Sequence, residues 1–131
     1  MGKMQRTKGA EWERTVVNTA KAFGLEARRT APNQTQDGSD SFGDVTINGL
    51  KCECKHHADI PQWIEMVNCA LLKTSFQPKK IVASWIAGHD ALVIKQTRSC
   101  APLVLIHLAF NGLEVITMEE FFRRLKDAPK L

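Results

Sequence analysis

Apolar positions in residues 8–23 recur at the spacing of a helix. Trp12, Val16, Thr19/Ala20 and Phe23 fall on one side, as a period of 3.6 residues requires. Gly24 follows where a helix commonly ends in a left-handed turn. Residues 25–31 alternate as a strand does, up to Pro32, and residues 33–43 (NQTQDGSDSFG) are polar and glycine-containing, the pattern of a mobile surface loop. In residues 43–55, GDVTINGLKCECK, two alternating runs flank Asn48-Gly49. An Asn-Gly pair in that setting is the strongest short-range signal for a hairpin with a two-residue turn.

Asp59 with Pro61 opens a second helix over residues 62–73, with Trp63, Val67, Ala70 and Leu71 inward. Residues 81–86, 91–95 and 103–108 are apolar, strand-like runs, the first two joined by a turn at residues 87–90. Thr117-Met-Glu-Glu120 is a capping box that starts a C-terminal helix, burying Phe121, Phe122 and Leu125. No repeat, low-complexity tract or linker interrupts the chain. With 131 residues and 44% apolar content, residues 1–131 suit a single domain with one core. The order helix, strand, hairpin, helix, strands, helix predicts an α/β fold around a mixed central sheet flanked by helices.

The hairpin register follows from its turn. With Asn48 and Gly49 as the loop, Ile47 faces Leu50, Thr46 faces Lys51, Val45 faces Cys52 and Asp44 faces Glu53. Alternation then puts Val45, Ile47, Leu50, Cys52 and Cys54 on one face, the core side. Asp44, Thr46, Lys51, Glu53 and Lys55 share the other. Asp44 and Glu53 become a directly opposed pair with Cβ atoms about 5 Å apart. Two facing carboxylates repel unless something neutralises them. Lys55, two residues along, is one neutraliser, and a divalent cation with hard oxygen ligands is the better one. Solvated charges on an exposed hairpin would explain each residue singly, but not the matched register. On the first helix, Glu11 lies on a solvated stripe with Thr15, Asn18 and Ala22. Glu13 lies in line with Val17 and Ala20 at the edge of the buried stripe. A carboxylate there needs a partner, which a sheet lysine or a metal site would supply.

Charge and cysteines narrow the setting. The net charge is +4, and residues 1–36 hold seven basic residues against three acidic ones, so the amino-terminal third suits a polyanionic partner. The basic start, MGKMQRTKGAEWER, has no apolar core of a secretory signal, and no apolar run is long enough for a membrane span. A cytoplasmic location is expected, with Cys52, Cys54, Cys69 and Cys100 as free thiols. A zinc site from Cys52, Cys54, His56 and His57 lacks a standard finger spacing.

An acid on the first helix, then Gly43-Asp44, then Glu53-Cys54-Lys55 resembles the PD-(D/E)XK nuclease superfamily. Within it, Lys8-Gly9-Ala10-Glu11-Trp12-Glu13-Arg14 is similar to the K-G-x-x-x-E-R opening of archaeal-type Holliday junction resolvases. The similarity spans residues 8–73. It implies a restriction-endonuclease-like fold. It implies further that Glu13, Asp44, Glu53 and the main-chain carbonyl of Cys54 bind Mg²⁺ or Mn²⁺, and that Lys55 orients or activates the attacking water. The family's proline before the aspartate is Gly43 here. Its loop serine has Ser39 and Ser41 as candidates, and Gln62 stands where many members carry a polar residue. Arg28 and Arg29 are candidate phosphate contacts, and Lys3, Arg6, Lys8 and Arg14 candidate grips on DNA backbone. The family acts on branched DNA such as four-way junctions, as homodimers with two active sites.

Three functions are therefore expected in order. The first is a metal-dependent, structure-selective endonuclease of recombination and repair. The second is a nuclease of the same fold cutting duplex or flap DNA. The third is a DNA-binding module with a degenerate site, which the full set Glu13, Asp44, Glu53 and Lys55 argues against. Trp12, Trp63 and Trp85 read as core packing rather than base stacking. His56 and His57 are candidates for contact with DNA or the metal edge, with incidental surface the plainer reading, while His89 falls in a turn and His107 reads as a satisfied strand residue.

Overall fold

Asn48 and Gly49 adopt φ values of 50° and 83°, the left-handed backbone that a two-residue hairpin turn of this kind needs at both positions. The computed structural model describes residues 2–29, 44–98, 101–108 and 112–127, without the side chains of residues 2–8 and 44. The turn joins β2 (Asp44–Ile47) to β3 (Leu50–His57) in the expected register, with Asp44 opposite Glu53, Val45 opposite Cys52, Thr46 opposite Lys51 and Ile47 opposite Leu50. Asn48 does more than turn the chain. Its N–H donates to the Glu26 carbonyl at 2.8 Å and its Oδ1 accepts from the Glu26 N–H at 3.0 Å. That clamp seats β1 (Ala27–Arg29) antiparallel along β2.

The sheet continues through β4 (Ala91–Gln96), β5 (Leu103–His107) and β6 (Leu113–Thr117), six strands side by side in chain order. All neighbours are antiparallel except β3 and β4, which are parallel. A parallel pair needs a crossover connection, and α2 (Trp63–Leu72) with α3 (Lys80–Ile86) provides it. Helices α1 (Gly2–Ala22) and α4 (Met118–Asp127) complete an α/β domain with a mixed sheet flanked by helices. Among the described residues no helix is long and apolar enough to cross a membrane.

Each face of the sheet has its own core. On one, Trp12, Val16 and Ala20 of α1 and Phe121, Phe122 and Leu125 of α4 pack on Val45, Ile47, Cys52, Cys54 and Val93. On the other, Met66 and Cys69 of α2 and Val82 and Ile86 of α3 pack on Leu92, Ile94, Leu105 and Val115. The Thr117 hydroxyl accepts from the Glu120 N–H at 3.1 Å, the N-cap bond of the expected capping box. Arg124 of α4 grips both carboxylate oxygens of Glu114 on β6, at 3.1 and 3.0 Å.

Several expectations need correction. Residues 81–86 form a helix, not a strand, and the turn at 87–90 links α3 to β4. Val82 and Ile86, four residues apart, are buried while Ile81 and Ser84 are exposed; six apolar residues fit either period, and the crossover decides between them. β6 lies in a stretch not read as a strand. α1 begins at Gly2, six residues before residue 8. On α2, Leu71 points outward while Met66 and Cys69 are buried. The loop at 33–43, Ser39, Ser41 and Cys100 lie outside the described residues.

Candidate active site

Glu53 is only 7% exposed although it lies on the hairpin face opposite Val45 and Cys52. The hairpin was expected to have one buried face; instead α2 and α3 build a second core there. β3 brings Glu53 to its margin, since Glu53 and Lys55 stand beside Leu92 and Ile94 in the parallel register. Lys55 Nζ lies 3.7 Å from Glu53 Oε2, an ion pair with the carboxylate buried and the ammonium partly open to water. A carboxylate so enclosed needs positive charge close by.

Among the described residues β2 pairs with β3 from Ile47–Leu50 to Asp44–Glu53, and β3 runs on to His57 beside β4. Asp44 stands opposite Glu53 by its backbone register; its side chain is not described.

Glu13 is 6% exposed on the α1 side of the sheet, which agrees with its place at the edge of the apolar stripe. Its partner is an arginine rather than a lysine. Arg29 lies opposite Val45 on the same face, and its Nε and Nη2 both reach Glu13 Oε1 at 3.0 Å. Arg29 is thus committed to a buried carboxylate, a role it was not assigned among the phosphate contacts. Arg14 and Arg28 are exposed, and Lys3, Arg6 and Lys8 lie on the first two turns of α1. Trp12 donates from Nε1 to the Val93 carbonyl at 3.4 Å, which ties the middle of α1 to the middle of β4.

Gln62 has structural work. It takes a left-handed φ of 62° at the start of α2. Its amide oxygen accepts from the Lys79 N–H at 2.8 Å, and its Nε2 donates to Glu65 at 2.9 Å and to the Gln77 carbonyl at 3.4 Å. These bonds tie α2 to the segment before α3 and offset the strain of that backbone.

The sequence pointed to core packing for Trp85 and to mostly incidental histidines; it did not show that Trp85 and His57 gather around Lys55. Trp85, on α3, carries the Lys55 ammonium 5.7 Å from its ring centre and stacks on the His57 ring at 5.5 Å, 5° from parallel. Burial, and then the Lys55 charge, push the His57 pKa below its ordinary 6.5. On the other face, Trp12 carries Lys95 at 5.6 Å and lies 6.3 Å from the His56 ring. His57 is thus turned away from the buried thiols of Cys52 and Cys54, and those four residues do not converge as a zinc site. His107 Nε2 meets the His89 carbonyl at 3.0 Å, a satisfied strand histidine as expected.

No family model matches the chain, and neither a curated protein nor a solved structure does. The site therefore stands on its own geometry. Among the described residues no three His, Cys, Asp or Glu side chains converge on one point; the Asp44 carboxylate is not among them. The donor set is nonetheless of one kind. Asp44 and Glu53 carry hard oxygen donors and stand opposite one another in the hairpin register, with an ammonium beside Glu53, a donor type that suits Mg²⁺ or Mn²⁺ rather than a thiophilic ion.

Proposed function

We propose that the protein is a metal-dependent endonuclease with a restriction-endonuclease-like fold that cuts branched DNA, as a Holliday junction resolvase does. One observation carries the reading: the enclosed Glu53 carboxylate pairs with Lys55, and Asp44 stands opposite Glu53 in the hairpin register. Asp44, Glu53 and the main-chain carbonyl of Cys54 would hold Mg²⁺ or Mn²⁺; Glu13, bonded to Arg29 on the α1 face of the sheet, is not part of that set. A cation held by these residues would supply Lewis acidity toward the attacking water and positive charge for a phosphate oxygen. Lys55 supplies a second positive charge where negative charge grows on the phosphate, and it orients the attacking water. Trp85 restricts Lys55 to that place. Cleavage assays with Mg²⁺ and labelled four-way junction, flap and linear duplex should show the junction cut in preference. Preferred cutting of flap or duplex would replace the resolvase reading by a repair or restriction-like one, and no cutting of any substrate would leave no enzyme.

A homodimer belongs to this reading, because resolving a junction needs two cuts. α2 supplies a suitable face. Ile64, Leu71 and Leu72 are 76%, 74% and 72% exposed on it, a concentration of apolar surface typical of an interface. Ile64 and Leu72 stand symmetrically about Asn68, with Glu65 toward the amino end and Lys73 at the carboxyl end. An antiparallel copy of α2 about a two-fold axis at Asn68 would set Ile64 of one copy against Leu72 of the other. Leu71→Glu should turn a dimer into a monomer in sedimentation velocity without lowering the melting temperature of the fold.

A further inference from the structure

The carboxyl ends of β3 and β4 form a basic rim held by two tryptophans, one on each face of the sheet. The parallel register sets His56 beside Lys95 and His57 beside Gln96. Trp12 holds Lys95 and His56 from the α1 side; Trp85 holds Lys55 and His57 from the α3 side. Beyond β4 the chain turns at Thr97, whose N–H donates to the His57 carbonyl at 3.0 Å, and leads to the exposed Arg98. Among the described residues no carboxylate forms an ion pair with Lys95 or Arg98. Both indoles also pack against the cores, Trp12 on the α1 side and Trp85 on the other, so the cationic and imidazole groups are laid on rings that the fold already fixes. A cation laid on an indole face keeps its charge and loses mobility. It therefore gives up less entropy when an anion binds.

We propose that this rim is a phosphate-binding track, with Lys95, Arg98, His56 and His57 contacting the sugar–phosphate backbone of the DNA strand that runs into the Glu53–Lys55 site. The choice of nucleic acid rests on the nuclease reading of that neighbouring site; the charge and the tryptophan supports do not. Trp12 and Trp85 are positioning residues, and the lysine, arginine and imidazoles are the contacts. These contacts read no base, so the track serves any sequence.

The test is a fluorescence-anisotropy titration of labelled four-way junction and linear duplex over a salt series, with Ca²⁺ in place of Mg²⁺. The parent protein is compared with Lys95→Ala/Arg98→Ala, and with Lys126→Ala on α4 as the control. The double variant should bind both DNAs about tenfold more weakly and lower the slope of log K against log salt by about 2, near one unit per lost phosphate contact. The control should match the parent. An unchanged affinity and slope in the double variant would overturn the track, even if the parent cuts DNA with Mg²⁺. A parent that fails to cut DNA, with the slope lost as expected, would leave the track standing and remove the nuclease. Tighter binding of a poly-glutamate peptide than of either DNA would also overturn it. Trp85→Phe should retain most of the affinity and Trp85→Leu should not, a difference that core volume does not produce.

Discussion

Glu53→Gln should reduce Mg²⁺-dependent cleavage by about 10²–10³-fold or more, the scale set by losing one electrostatic stabiliser of a developing charge. The substitution keeps the shape of the side chain and removes its charge. Glu53 is almost wholly enclosed, with Lys55 Nζ 3.7 Å from its Oε2, so an amide has no solvent through which its loss of charge could be made good. Stability should move little. Lys55 remains partly open to water once its partner is neutral, and removing a buried carboxylate relieves a desolvation cost. A thermal melt beside the rate measurement separates the two effects. Asp44→Asn should behave alike, because its register places it against Glu53. Parental rates in both variants would show that these acids are not the site.

Ile47→Ala should cost about 2–5 kcal/mol, while Thr46→Ala next to it should cost no more than about 0.5 kcal/mol. Ile47 is fully buried among Val45, Cys52 and the residues of α1; Thr46 faces the other way and is half-buried. For a chain of this length the Ile47 loss lowers the melting temperature by on the order of 10 °C, a large part of a domain's total stability of about 5–15 kcal/mol. The contrast between adjacent positions is a direct reading of strand register, since a slip of one residue exchanges the faces. Equal losses at both positions would refute the register and, with it, the pairing of Asp44 and Glu53.

The hairpin was legible because its determinants are local. Asn48 and Gly49 tolerate positive φ, and the alternation of Val45, Ile47, Cys52 and Cys54 allows one pairing that buries them together. α3 was not legible for the opposite reason. Six residues, Ile81 to Ile86, carry β-branched and aromatic side chains that suit a strand, and their helical pair Val82 and Ile86 stands out only once α3 must bridge two parallel strands. The outward Leu71 on α2 has the same origin: periodicity shows that a helix has an apolar side, not which of two apolar sides meets the sheet.

The sequence by itself determined the elements whose causes lie within a few residues: the first helix with its Gly24 end, the Asn-Gly turn, the facing of Asp44 and Glu53, and the cap at Thr117. It also required that Glu13, at the edge of an apolar stripe, find a partner. Only the tertiary structure decided that the partner is Arg29, that a second core encloses Glu53, and that Trp12 and Trp85 each take one lysine and one histidine at the carboxyl ends of β3 and β4. Those outcomes depend on contacts between segments tens of residues apart, from Trp12 to Lys95 and from Lys55 to Trp85. Local backbone preference cannot encode such contacts, because they exist only once the sheet has set its order and the helices have covered its two faces.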